Sequence, residues 1–284
     1  MEQMQPLEQK IQLNKQTNLE IELLLEAVYR LSGFDFRQYN RSSISRRIYN
    51  RMKINNIPTI SRVLEKAIHD KAFLEQLLND FSINVTEMFR NPSFFKAFRE
   101  KVIPSLRDYP EIRIWHAGCA TGEEVYSMAI LLQEEGLIER AMIYATDMNE
   151  QVLEKAKKGV FPIHKMQAYT KNYMLAGGTH AFSEYYKTDY QYAYFHPTLL
   201  KNIIFAQHNL VTDQSFNEFH VILCRNVLIY FSPQLQSYVH QLFYESLSDQ
   251  GFLCLGDKET LRFEEVISNY TEIACNERIY QKKH

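Results

Sequence analysis

Apolar residues recur every three or four positions through the first third of the chain, and then the period changes. In "IELLLEAVYRLSGF" they fall at Ile21, Leu24, Val28 and Leu31, one stripe of a helix that stops at Gly33. "SSISRRIYNRMKINN" repeats them at Ile44, Ile48 and Met52, with Arg46, Arg47, Arg51 and Lys53 at its other positions. "SRVLEKAIHDKAFLEQLLNDF" supplies one or two further helices, and no strand pattern occurs before residue 110. Residues 19–83 therefore read as a small all-helical domain. Ahead of them, residues 1–18 are Gln-rich and polar and read as a mobile tail or a frayed helix.

Beyond residue 110 short apolar runs alternate with amphipathic ones. "EIRIWHAG" reads as a strand running into a glycine loop, "EEVYSMAILLQEEGL" as a helix and "AMIYATD" as a second strand. "NEQVLEKAKKGV" follows as a helix capped by Asn149. Later come the strand "FHVILC", the helix "SPQLQSYVHQLFYESL" with Ser232 at its N-cap, and the strands "GFLCLG" and "ERIYQK". Such alternation implies an α/β domain, a mostly parallel sheet covered on both faces. "YYKTDYQYAYF" breaks the pattern. It sets Tyr190, Tyr192 and Tyr194 on one face of an extended strand, in a small antiparallel piece inserted at about 163–202. That stripe is either a docking edge or a hairpin packed on the core.

Composition narrows the classes. Of 284 residues, 45% are hydrophobic and 23% charged, and the formal net charge of −2 gives no general attraction to nucleic acid or anionic membrane. No apolar run approaches the roughly 20 residues of a membrane span, and a cytoplasmic protein is expected. The four cysteines (Cys119, Cys224, Cys254, Cys275) are widely spaced, and the histidines lack ligand spacing, so neither a disulfide framework nor a metal centre is expected.

The candidate chemistry starts in "HAGCATGEEVYS", where Gly118 and Gly122 fall between a strand and a helix. In an open parallel sheet ligands bind beyond the carboxyl ends of the strands, and glycine there permits positive φ and close backbone approach. The spacing G-x-x-x-G matches neither the dinucleotide fingerprint nor the phosphate loop, and no lysine follows. Glu123 and Glu124 would occupy the positive helix terminus and repel a phosphate. Asp147 ends the second strand, where a carboxylate can accept both ribose hydroxyls. A phosphate-free, cationic nucleoside fits these terms, and S-adenosylmethionine is one. The alternative is an α/β domain with an incidental glycine pair.

Three further segments carry a resemblance: "NVTEMFRNPSFF" (84–95), "QHNLVTD" (207–213) and "CRNVLIYF" (224–231). With them the chain from about Leu19 onward resembles the CheR family of chemotaxis-receptor glutamate methyltransferases. The resemblance implies an all-helical N-terminal domain, a joining segment at 84–95, and a Rossmann-like S-adenosylmethionine methyltransferase domain over 96–284. That domain would carry an inserted antiparallel β-subdomain. It further implies cofactor contacts at Asn84, Thr86, Arg90, Gly118, Glu124, Asp147, Asn209, Leu210, Arg225 and Asn226, with Tyr230 near the transferred methyl. Many members have proline where this chain has Val125, a change expected to cost little. The β-subdomain does not match closely the members that bind a receptor tail peptide.

Roles follow from side-chain chemistry. Asp147 would hold the ribose, Glu124 the cationic end of the methionine portion, and Asn209 and Leu210 the adenine. Arg90 would orient the incoming or the methionine carboxylate, or else form an interdomain ion pair. Tyr230 would position the acceptor oxygen, or else be a core aromatic, and Asn226 would otherwise be a turn residue. The implied partner is the acidic helical domain of a chemoreceptor, steered by the basic helix at Arg46, Arg47 and Arg51, unless that helix is simply a solvated face. A catalytically silent S-adenosylmethionine-binding module and the same chemistry on another signalling protein are the competing readings.

Overall fold

A computed structural model describes residues 5–82, 84–261 and 267–283, so residues 1–4 of the expected tail and the boundary residue Ile83 lie outside the described residues. The chain forms two compact units, one of residues 1–83 with 230–235 and the other of residues 84–229 with 236–284.

The helical unit is built from α1 (Gln5–Ser32), α2 (Arg41–Ile54), α3 (Ile60–His69) and α4 (Lys71–Phe81). Each of the last three starts on a side-chain cap: Asn40 accepts from Ser42 N, Thr59 from Arg62 N, and Asp70 from Phe73 N. Ile21, Leu24, Leu25 and Val28 of α1 are buried with Ile44, Ile48, Val63, Leu77 and Phe81. The polar segment before Leu19 is helical from Gln5. One sequence expectation changes here: Leu31 is 48% exposed rather than buried. At 100° per residue Leu31 lies about 80° round from Ile21, on the shoulder of the stripe.

The expected basic face is also divided. Arg46 is exposed, but Arg51 is a tie between helices: its Nε and Nη2 donate to Asp80 at 2.7 and 2.9 Å and its Nη1 to Gln76 at 2.9 Å. Arg47 is half-buried, and burial, ahead of the neighbouring charges, lowers its pKa.

The second unit holds a seven-stranded sheet in the order β6-β2-β1-β7-β8-β10-β9. Its strands are β1 (Ile112–Ala117), β2 (Ala141–Asp147), β6 (Ile203–Gln207), β7 (Phe219–Cys224), β8 (Leu247–Leu255), β9 (Tyr270–Ala274) and β10 (Ile279–Lys282). The five strands from β6 to β8 are parallel, and β10 and β9 close the edge antiparallel. Central β7, "FHVILC", is buried at all six positions, as a strand covered on both faces must be. The covering helices are α5 (Pro92–Lys101), α6 (Ile103–Leu106), α7 (Glu123–Glu134), α8 (Glu150–Lys158) and α10 (Pro233–Ser246). Asn149 and Ser232 cap α8 and α10 as expected, accepting from Gln151 N and Leu235 N. Val125 is fully buried in the core, so the side chain that replaces proline there packs.

Strand β6 and edge strand β9 carried no clear signal in sequence. The insertion is a three-stranded antiparallel sheet, β3 (Val160–Pro162), β5 (Tyr192–Phe195) and β4 (Tyr186–Thr188), with helix α9 (Met166–Leu175). Tyr192 and Tyr194 share one exposed face of β5, whereas Tyr190 lies in the preceding turn. The cause is Asp189, whose Oδ1 accepts Gln191 N and Tyr192 N, both at 2.7 Å, and folds the chain before the strand starts.

The division of the basic helix makes a prediction. Arg51→Ala removes charge-assisted bonds and should lower the unfolding free energy by about 1.5–3 kcal/mol. Arg46→Ala should change it by less than about 0.5 kcal/mol, both measured by urea denaturation.

Candidate active site

The loops at the carboxyl ends of β2, β1 and β7 are held together by side chains that accept or donate to backbone. After β1, Gly118 N and Cys119 N both donate to Thr146 O at 2.8 Å, which folds the glycine loop over the end of β2. Gly118 (φ 78°) and Gly122 (φ 91°) adopt left-handed conformations, as the strand-to-helix turn requires. A Cβ on Gly118 would meet Val227 Cγ2 at 2.6 Å, and one on Gly122 would meet Ala156 Cβ at 2.9 Å. These glycines therefore let the loop close against protein neighbours.

Asp147, at the end of β2, is 7% exposed. Its Oδ2 accepts Ala120 N and its Oδ1 accepts Asn149 N, both at 2.9 Å. Burial raises its pKa, against these backbone donors, which favour the charged form. Beside it, His208 N donates to Asp147 O at 3.2 Å, which brings the following Asn209 and Leu210 to the same edge. Leu210 is buried, and Asn209 Oδ1 accepts Val211 N at 3.0 Å in a turn of its own.

Glu124, in the first turn of α7, accepts from Arg225 Nη1 at 2.8 Å and lies 3.2 Å from His116 Nδ1. Burial alone would raise its pKa, but the Arg225 charge and the His116 contact outweigh it and hold the carboxyl at about 2. Arg225, immediately after β7, has a side chain only 2% exposed. Its two terminal nitrogens reach Arg90 O at 3.3 Å, Nη2 reaches Asn91 Oδ1 at 3.1 Å, and its guanidinium lies 3.9 Å over the Phe94 ring. The segment it clamps is bent by two left-handed residues, Phe89 (φ 50°) and Asn91 (φ 53°), and Phe89 N donates to Ser127 Oγ at 2.8 Å.

Of the residues named from sequence, Gly118, Glu124, Asp147, Asn209, Leu210, Arg225 and the Arg90 backbone thus meet through short links. Asn84 and Thr86 are half-buried in the extended stretch before that bend, and the Arg90 guanidinium reaches Val85 O at 3.4 Å. Asn226 (φ 63°) donates from its backbone N to Glu259 Oε2 at 2.7 Å. Tyr230 groups with the helical unit, where its carbonyl accepts Asn40 N at 2.6 Å. Sequence reasoning missed His116, Glu259 and the use of Glu123, whose buried carboxylate accepts from Thr121 Oγ1 (2.6 Å) and Tyr169 OH (3.3 Å). Only "GDKE" after a buried strand pointed to Glu259, and the two adjacent glutamates pointed to Glu123.

The donor set fits a phosphate-free nucleoside with a positive centre. A buried carboxylate, Glu123, and a partly buried one, Glu124, open α7, no lysine stands in the loop, and Asp147 sits at the end of the neighbouring strand. No group of three or more His, Cys, Asp or Glu able to hold a metal occurs among the described residues, nor does a helix long and apolar enough to cross a membrane.

Two family descriptions match: "CheR methyltransferase, SAM binding domain" over residues 84–275 and "CheR methyltransferase, all-alpha domain" over residues 19–82. The chain belongs to the CheR methyltransferase family. It is 46% identical to "Putative methyltransferase Cher3" of Pseudomonas putida over 268 residues, covering 94% of this chain and 98% of that protein. It is 30% identical to "Chemotaxis protein methyltransferase" of Listeria monocytogenes, covering 81% of this chain and 85% of that protein. It is also 33% identical to an uncharacterized 104.1 kDa protein of Rhodobacter capsulatus, covering 88% of this chain and 26% of that protein. The CheR architecture, an all-helical domain before an S-adenosylmethionine-binding α/β domain, is the one expected from sequence.

The buried pair gives a pH prediction. Glu124→Gln leaves Arg225 without its counter-charge and should cost about 3–5 kcal/mol of stability at pH 7, by urea denaturation. The folded pKa of Glu124 lies below its ordinary 4.5, so the contribution is complete above about 4.5 and fades as pH falls toward about 2. The gap between wild type and variant should therefore hold steady from pH 7 to 5 and narrow only below that.

Proposed function

We propose that the protein transfers a methyl group from S-adenosylmethionine to glutamate side chains of a methyl-accepting chemoreceptor, forming glutamyl methyl esters. The observation that carries the cofactor half is Asp147 at the end of β2, beside a glycine loop whose helix opens on Glu123 and Glu124. The acceptor half draws on relatives named "Chemotaxis protein methyltransferase", including the Listeria protein.

S-adenosylmethionine supplies an electrophilic methyl on a sulfonium, which leaves as a neutral thioether, so opposite charges cancel along the path. An acceptor glutamate with an ordinary pKa of about 4.3 is already ionised at neutral pH and needs no general base. Alignment and exclusion of water then carry most of the acceleration. In this reading Asp147 binds the ribose hydroxyls through the lone pairs its backbone donors leave unused. Leu210 offers apolar contact to the base, and the Arg90 guanidinium and Tyr230 hydroxyl orient carboxylate and acceptor. Glu124, paired with Arg225, fixes the segment that carries Arg90, and its remaining lone pairs face the cationic end of the methionine portion. Asn84, Thr86, Gly118, Asn209 and Asn226 complete the proposed cofactor shell.

A second reading keeps the chemistry and changes the acceptor. The relative that is 46% identical over nearly its whole length is named a methyltransferase without reference to chemotaxis. Label transfer separates the two. With radiolabelled S-adenosylmethionine, base-labile label should appear on receptor membranes. Label on another protein favours the second reading, and label on none sinks both.

Asp147→Ala should weaken S-adenosylhomocysteine binding, measured by calorimetry, by about 1.5–3 kcal/mol. If the basic helix docks the acceptor, Arg46→Glu should raise the acceptor KM at low salt and flatten its salt dependence, with cofactor affinity unchanged. Arg46 is the residue to replace because Arg51 is committed to Asp80.

A further inference from the structure

Glu259 is 4% exposed, and no ion pair to it is present among the described residues. Its carboxylate is given over to backbone donors. Oε2 accepts Gly256 N at 2.6 Å and Asn226 N at 2.7 Å, Oε1 accepts Ile229 N at 3.3 Å, and the Leu228 N–H also faces it. A buried carboxylate without a cation is costly unless such donors satisfy it. Here they come from two loops, the one after β7 and the one after β8.

The join is tight. A Cβ on Gly256 would stand 2.8 Å from both Asn226 N and Asn226 Nδ2, and 2.6 Å from Glu259 Oε2. Asn226 is itself at φ 63°, the left-handed region, which asparagine tolerates better than other non-glycine residues and which here is joined to a bonded backbone N–H. Glu259 holds that backbone, since the Asn226 N–H is one of the two shortest bonds it accepts, while the Asn226 side chain reaches Asp257 Oδ1 only at 3.4 Å.

We propose that Glu259 is a positioning residue: it sets the backbone of Asn226 at the carboxyl end of β7, and through Asn226 it sets cofactor affinity. This rests on the reading of Asn226 as part of the cofactor shell. In Glu259→Gln one oxygen becomes an NH2 group that must face backbone donors and the other loses its charge, so the two loops lose one acceptor and the strength of the second without losing volume.

The test is a double-mutant cycle on S-adenosylhomocysteine binding by calorimetry, with the full chain and thermal unfolding of each variant recorded alongside. Glu259→Gln and Asn226→Ala should each weaken binding by about tenfold or more. If Glu259 acts through Asn226, the double variant should bind within about twofold of the weaker single variant. Losses that multiply, or a lower melting temperature with unchanged affinity, would overturn the proposal and leave Glu259 as a loop-stability residue. Should Glu259→Gln fail to fold, Gly256→Ala, which pushes on the same Asn226 backbone, takes its place in the cycle with the same two outcomes. A wild-type protein that binds no S-adenosylhomocysteine would remove the cofactor reading and this inference together, whereas wild-type binding with indifferent variants removes only the inference.

Discussion

The ends of the parallel strands are built on buried carboxylates that accept backbone N–H groups from neighbouring loops. Asp147, closing β2, takes Ala120 N from the loop after β1. Glu259, just past β8, takes Asn226 N from the loop after β7. In the sheet these four strands are consecutive, β2-β1-β7-β8, so each outer strand's acid steadies the loop of the strand inside it. Loop backbone at a sheet edge has lost its ladder partners, and buried donors must find an acceptor elsewhere. A carboxylate supplies two oxygens and makes stronger bonds than a neutral acceptor.

That choice has an electrostatic consequence. Glu123, Glu124, Asp147 and Glu259 lie at one edge, and among them Glu124 is matched by buried Arg225 while Lys165 stands 3.5 Å from Glu123. The remaining negative character disfavours a phosphate and favours a ligand that brings positive charge. The groups that hold the loops are thus the same ones that set the charge of this edge, so loop shape and local electrostatics are not independent here. The Arg225–Glu124 pair adds a third role, because the same guanidinium holds the carbonyl of Arg90.

How much of this was legible in the sequence depended on range. Gly118, Gly122 and Asp147 were readable because a turn with positive φ and a strand-end acid leave local marks. The caps at Asn149 and Ser232 were readable for the same reason. Glu124 and Arg225 could each be named, but not their pairing, since they are 101 positions apart and a charge in sequence does not declare its partner. Arg51 looked like part of a free basic face until Asp80, on another helix, claimed it. Tyr190 looked like a strand residue because alternation continued through it, while a single aspartate side chain ended the strand. Strand β6 was missed because its burial is partial and its apolar run short.

The inserted segment shows why a feature that reads as an appendage need not be peripheral. Helix α9 donates Asn172 Nδ2 to Met88 O at 3.1 Å, in the stretch that carries Arg90, and Tyr169 OH to Glu123, at the start of α7. A second anchor is Glu134 at the far end of α7, which accepts from Tyr173, Tyr185 and Thr179 N and pairs with Arg99. Those donors hold its carboxyl at about 2 although burial alone would raise it. Both ends of α7 are therefore bonded to the insertion, through one buried acid at each end. A load on the insertion would reach the glycine loop along a short chain of hydrogen bonds between packed side chains. The insertion is a brace of the strand-end loops, and Tyr169, Asn172, Tyr173 and Tyr185 are the side chains through which it acts.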